Sequence, residues 1–154
     1  MVTTSPRTTS FTRPRAKRAM KISVQPGPAT CGYGFIIDHD CLRRWAKIIY
    51  GELFGPDSLS SMPAEEAEIT IQAAYSTTAS MIPLKVYKGF PRIPRLRRRL
   101  ALMNPAQRRY LLVLQDNSSQ AALSAAITSE DLDGVRRMLG LGGQKPRWYH
   151  LPEW

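Results

Sequence analysis

The chain has 154 residues, 43% of them hydrophobic, which suits one domain with a core of its own, and no apolar run approaches the ~20 residues a membrane-spanning helix needs. Two cysteines are too few for a disulfide-stapled secreted scaffold, so a soluble protein of a reducing, intracellular compartment is expected. The formal net charge of +10 is uneven: residues 1–30 carry Arg7, Arg13, Arg15, Lys17, Arg18 and Lys21, residues 85–109 carry Lys85, Lys88, Arg92, Arg95, Arg97, Arg98, Arg99, Arg108 and Arg109, and neither segment holds an acid, which leaves the remainder at −5.

Residues 1–29 lack apolar periodicity and end in the turn-forming run QPGPAT, so they are predicted to be a disordered basic tail, dispensable for folding. Their Ser, Thr and Arg content is that of an organelle transit peptide, but Pro6, Pro14, Pro26 and Pro28 would interrupt an amphipathic helix, and RPRAKRAMK also reads as a nuclear-import patch. A cytoplasmic or nuclear location is favoured, with mitochondrial import as the alternative.

Residues 30–154 are predicted to form a single α+β domain. CGYGFIID, 31–38, reads as a buried strand running into a helix over 40–53, capped by Asp38 or Asp40, whose core stripe is Leu42, Trp45, Ile49 and Leu53 with Cys41 and Ile48 alongside. After the loop GPDSLSSMP, Pro63 with Glu65, Glu66 and Glu68 marks a second helix over 63–76 with Ala67, Ile71 and Ala74 inward; the alternation Ile69, Ile71, Ala73, Tyr75 keeps a strand open. PLKVYKG, 83–89, alternates as a strand, and RRYLLVLQD, 108–116, is a more apolar one. Between them lies an arginine-rich insertion, 89–105, read as a short helix from Pro94 to Met103 that docks through Leu96, Leu100 and Met103 and turns its arginines to solvent. The last predicted helix, 129–139, has Thr128 three residues before Asp131 and stops at Gly140. Trp148 and Tyr149 in the aromatic coda are expected to cover an open edge of the core. The sum is a small three-stranded sheet covered on one side by about three helices.

The YGFIID strand entering a helix, the two later strands and the terminal helix followed by KPRWY at 145–149 resemble a loose group of small α+β proteins of basidiomycete fungi. The likeness spans roughly residues 31–149. It implies this order of elements and no activity, cofactor or catalytic residue; the arginine insertion and the basic tail stand outside it.

Cys31, Asp38, His39, Asp40 and Cys41 are all zinc-ligand types, but the two thiols sit at opposite ends of a strand, unlike a C-x₂₋₄-C knuckle, and the aspartates suit helix capping. His39 and Cys41, two apart on a helix, point away from each other and make no nucleophile and base. GYG at 32–34 and GLGG at 140–143 lack the phosphate-loop patterns, and three glutamates in a first helical turn answer to the helix dipole. No catalytic, cofactor or metal residue is assigned. The candidate site is a set of polyanion-binding arginines, Arg92, Arg95, Arg97, Arg98, Arg99, Arg108 and Arg109, flanked by Tyr87, Phe90 and Tyr110 as stacking rings. The sequence reads first as a non-enzymatic interaction protein with an unidentified protein partner. The alternative is a nucleic-acid binder holding single-stranded RNA, or another polyanion, through segments 1–30 and 85–109, without membrane insertion. An enzyme of unrecognised type is the third reading.

Overall fold

A computed structural model describes residues 20–25 and 27–153; residues 1–19, most of the expected tail, lie outside that range. The described chain is α+β, with a four-stranded antiparallel sheet where three strands were predicted. Strand β1, Cys31–Ile37, leads into helix α1, His39–Phe54, which starts where Asp38 accepts a hydrogen bond from the Cys41 N–H at 2.9 Å. That bond satisfies one of the free donors of the first turn and sets a negative charge at the positive end of the helix. Leu42, Trp45 and Ile49 of the expected stripe are buried with Cys41 and Ala46, but Ile48, off the inward side of the helix, and Leu53, in its last turn at an open groove, are exposed.

The residues after Pro63 form helix α2, Ala64–Ala73, which settles the helix-or-strand question: Ile71 is buried and Ile69 exposed, so the inward positions do not follow a strand's period. Helix α3, Tyr75–Gly89, overturns the predicted strand at 83–89. Its buried residues Tyr75, Thr78, Ala79, Ile82, Val86 and Tyr87 recur at helical spacing, and Leu84, expected inside, is exposed while Tyr87, expected outside, is buried. The four-residue alternation around Val86 was the tail of this longer period, cut off by reading Pro83 as a boundary; the proline forgoes one backbone bond within the helix. Leu53, Phe54 and Ile69 stay exposed around an open apolar groove of about 440 Å³ between α1, α2 and α3.

The arginine segment is not a helix. Phe90 lodges against α5, Ser129–Leu139, at Gly134, where any side chain would meet its ring. Ile93 then enters the core on the helical side of the sheet and Leu96 the apolar cluster on the opposite side, so residues 90–99 wrap around one sheet edge. The segment continues as strand β2, Leu100–Asn104, which pairs with strand β3, Arg109–Asp116. Alternate residues of an extended chain face opposite ways, so Leu100 packs under the helices and Ala101 on the far face. A short helix α4, Gln120–Leu123, precedes α5, which begins at the predicted Thr128 cap and ends at Gly140 in the left-handed conformation, φ +64°. Arg44 of α1 donates to the carbonyls of Leu139 and Gly140 and so ties the two helices together. The aromatic coda is a strand, β4, Arg147–His150, on the free edge of β1.

The sheet order β2-β3-β1-β4, all antiparallel, with helices α1 to α3 between β1 and β2 and α4 and α5 between β3 and β4, is the split βαβ topology. Phe35, Ile37, Leu112 and Leu114 face the helices, where they pack with Leu42, Trp45, Ile82, Val86, Val135 and Leu139. Ile36, Leu111 and Val113 face the other way, under Leu96 and Leu151. The domain also begins earlier than residue 30: Gln25 N–H donates to the Asn117 carbonyl, and the Asn117 side chain donates to Ser23 O and accepts from the Thr30 and Cys31 N–H groups. Residues 23–25, read as tail, are thus bonded to the end of β3.

Candidate polyanion-binding face

The seven arginines singled out from the sequence do not share one face. Arg92 sits beside α5, bonded to the buried Asp131 carboxylate at 2.8 Å with Glu130 at 3.8 Å, and its bond to Asp131 raises its pKa above the ordinary value. Its charge is already answered. Arg98 donates through both terminal nitrogens to the Pro152 carbonyl, 3.3 Å each, and burial lowers its pKa. Arg99 donates to the Leu96 carbonyl and stacks over the Tyr87 ring, 4.9 Å from its centroid. Arg108 stacks over Tyr75 on the helical side of the sheet. Arg92, Arg98 and Arg99 hold the protein together, while Arg108, though laid over Tyr75, is exposed. Arg95 and Arg97, on either side of the buried Leu96, and Arg109, first residue of β3, point into solvent, and among the described residues none of the three forms an ion pair.

Arg109 meets two cations that the sequence reading passed over. Lys145 and Arg147 lie beside it around an open cleft of about 600 Å³ on the helix-free face, floored by Ile36 and walled by the half-buried Tyr149. The sheet brings them together: Arg147 pairs with Gly34 and Tyr149 with Gly32, both on β1, and Ile36 pairs with Leu111, two residues beyond Arg109. The one carboxylate on the rim, Asp38, is engaged by the Cys41 N–H. Gln144 props the rim: its carboxamide accepts from Ile36 N–H at 2.6 Å and donates to Ile36 O at 3.1 Å. The signal was present in the sequence, since Lys145, Arg147 and Tyr149 fall at i, i+2 and i+4 and therefore on one side of a strand. A second cleft, of about 550 Å³, is lined by Arg97 and Arg98 near Asp116, at the far end of β3, so cations border both ends of the face, about 23 Å apart at ~3.3 Å per residue.

The stacking rings expected from sequence are elsewhere. Tyr87 is buried under Arg99, Phe90 is seated on α5, and Tyr110 packs beneath the helices. Tyr149 is the aromatic ring beside the basic cleft.

The thiols and histidines pair differently from the arrangement weighed in the sequence. Cys41 is buried, donates to the Leu139 carbonyl, and has its pKa pushed up to about 11, chiefly by burial, which leaves it protonated and inert at neutral pH. Cys31 Sγ lies 3.7 Å from His150 Nδ1 across the β1–β4 pair. Among the described residues no three His, Cys, Asp or Glu side chains gather as a metal site, and no helix is long and apolar enough to cross a membrane. No family model, curated protein or solved structure matches the chain.

Proposed function

We propose that this is a non-enzymatic binding protein that holds a phosphate-bearing polymer, single-stranded RNA foremost, along the helix-free face of its sheet. The observation that carries the reading is the convergence of Arg109, Lys145 and Arg147 beside Tyr149 over an apolar floor, with the only rim carboxylate occupied. Cations that lack ion-pair partners attract phosphates without reading sequence, and an exposed ring stacks on any unpaired base, which a duplex does not offer. The sheet platform is also the part that RNA-recognition modules of this topology use, a fold-level analogy. It differs here in that Leu96 and Leu151 cover the centre of the face and leave the β4 side open.

Binding to single-stranded RNA should weaken with salt, log K falling against log salt with a slope of about −2.1 if three side chains each contact one phosphate at ~0.7 per contact. Replacing Arg109, Lys145 and Arg147 together by Gln should flatten that slope and leave the melting temperature within a few degrees, since none of the three forms an ion pair among the described residues. Arg98→Gln and Arg99→Gln should instead lower the melting temperature, because both side chains brace the fold. RNA binding unchanged in the triple variant would remove the cleft from the proposal.

A protein partner is the second reading, favoured by the groove where Leu53 is 59%, Phe54 65% and Ile69 63% exposed. Phe54→Asp should abolish protein partners recovered by crosslinking in cells while RNA binding stays as it was; partners retained in full would exclude the groove.

A further inference from the structure

On the opposite side of the β2–β3 hairpin from the basic cleft of Arg109, Lys145 and Arg147 lies another open cleft, of about 500 Å³, bordered by His39, Gln72, Tyr75, Gln107 and Arg108. Its surroundings are built rather than merely exposed. Tyr75 is 3% exposed; its hydroxyl lies 3.2 Å from His39 Nε2, the His39 ring meets it edge-on, and the Arg108 guanidinium covers its face at 5.0 Å from the ring centroid. Arg108 takes φ +48°, the only positive φ at a non-glycine among the described residues, in a turn that Asn104 fastens by accepting from the Gln107 N–H at 3.1 Å. The Arg108 N–H also donates to the Pro105 carbonyl, 3.3 Å, and the left-handed residue that closes such a hairpin turn fixes where the Arg108 side chain leaves the backbone.

We infer that this cleft binds the terminal phosphate monoester of the polymer held on the sheet face, an inference that rests on the RNA reading above. The Arg108 guanidinium covers a face of the Tyr75 ring and the ring itself is buried, so Tyr75 is not open to a base. What lines the cleft besides are hydrogen-bonding groups: the Arg108 guanidinium, whose planar fork matches two oxygens of one phosphate, the Gln107 carboxamide, and the Gln72 carboxamide, one N–H of which goes to Glu68. Of the carboxylates nearby, Glu68 is engaged with Arg43 and Gln72, and Asp40 is exposed, 3.8 Å from His39 Nδ1. A terminal monoester carries about −1.5 to −2 at neutral pH against −1 for a phosphate within the chain, so the same donors hold the end more tightly than the middle. The two clefts adjoin: consecutive residues Asp38 and His39 on one side, and Arg109 and Arg108 on the other, are divided between them. A strand lying in the Arg109–Arg147 cleft reaches the Arg108 cleft by turning over the hairpin arm.

The test is calorimetric titration of the full chain with a short oligouridylate bearing a 5′-phosphate, a 3′-phosphate or neither. One phosphorylated form should bind about tenfold tighter than the unphosphorylated one, the scale of a charge-assisted bidentate contact. Arg108→Gly, which suits the positive φ, should erase that margin and leave the unphosphorylated oligomer bound as before; Gln72→Leu, on a helix surface, should reduce it without touching the turn. Equal affinity for all three oligomers would overturn the end site and leave the RNA reading standing. Should none of the oligomers bind while inorganic phosphate still shifts the side-chain NMR signals of Gln72 and His39, the site holds and the polymer reading fails. Phosphate without effect on those signals would dismiss the site outright.

Discussion

Gly34→Ala is expected to unfold the protein. Gly34 lies in β1, in the middle of the sheet, at the point where the pairing register with β3 shifts between Tyr33 and Gly34. A Cβ there would fall inside the envelope of the Leu112 carbonyl oxygen, far closer than the 3.0 Å that real Cβ atoms keep. That oxygen is backbone in the neighbouring strand and cannot step aside as a side chain would. Relief requires β1 and β3 to part, and with them Phe35, Ile37, Leu112 and Leu114 lose their packing. Overpacking alone costs about 1–3 kcal/mol and loss of the central pairing more, against a total stability of about 5–15 kcal/mol. Gly32→Ala is the control: its Cβ would meet only the ends of Leu151, Val113 and Leu111 at 3.1–3.3 Å, which can yield, and a loss of about 1–2 kcal/mol is expected. Circular dichroism melts of the two variants decide it; a Gly34→Ala protein that melts like Gly32→Ala would mean that the strand register is wrong.

Trp45→Ala should cost about 3–5 kcal/mol in urea unfolding, the usual loss for a buried tryptophan cut to alanine. Trp45 is 8% exposed in the core formed by α1, the sheet and α3, where the vacated volume is bounded on several sides and cannot collapse without moving whole elements. Leu53→Ala, two turns further along the same helix and 59% exposed, should cost under about 0.5 kcal/mol. Equal losses at the two positions would contradict the end of the core at Ile49.

The contrast between these two residues shows what periodicity conveys. The stripe Leu42, Trp45, Ile49, Leu53 marks one side of α1, but where the sheet stops beneath it depends on the length of β1 and the placement of α3, and neither is a local property. Helices with caps at both ends were legible for the same reason that they form: Asp38, Thr128 and Gly140 act on neighbours within a few residues. The strand assigned to 83–89 failed because four alternating residues fit either period, and only the run back to Tyr75 decides. The candidate site was half legible. Composition located the arginines of 92–109, but whether each one binds outward or braces inward depends on partners elsewhere in the chain: Asp131 for Arg92, Pro152 for Arg98, Tyr87 for Arg99. The i, i+2, i+4 spacing of Lys145, Arg147 and Tyr149 puts them on one side only if the segment is a strand, and a four-residue edge strand becomes one by pairing with β1.

The Gln144 carboxamide lies on β1 as a peptide group would, accepting from Ile36 N–H and donating to Ile36 O, just before β4 takes over the pairing at Gly34. It therefore occupies the place where another polypeptide would add itself to the sheet. β4 is only four residues long and would leave the rest of β1 with hydrogen-bonding groups turned outward, the template from which strand-to-strand aggregation grows. A single side chain closes that gap, so no second strand can pair with β1 at Ile36 without first displacing Gln144.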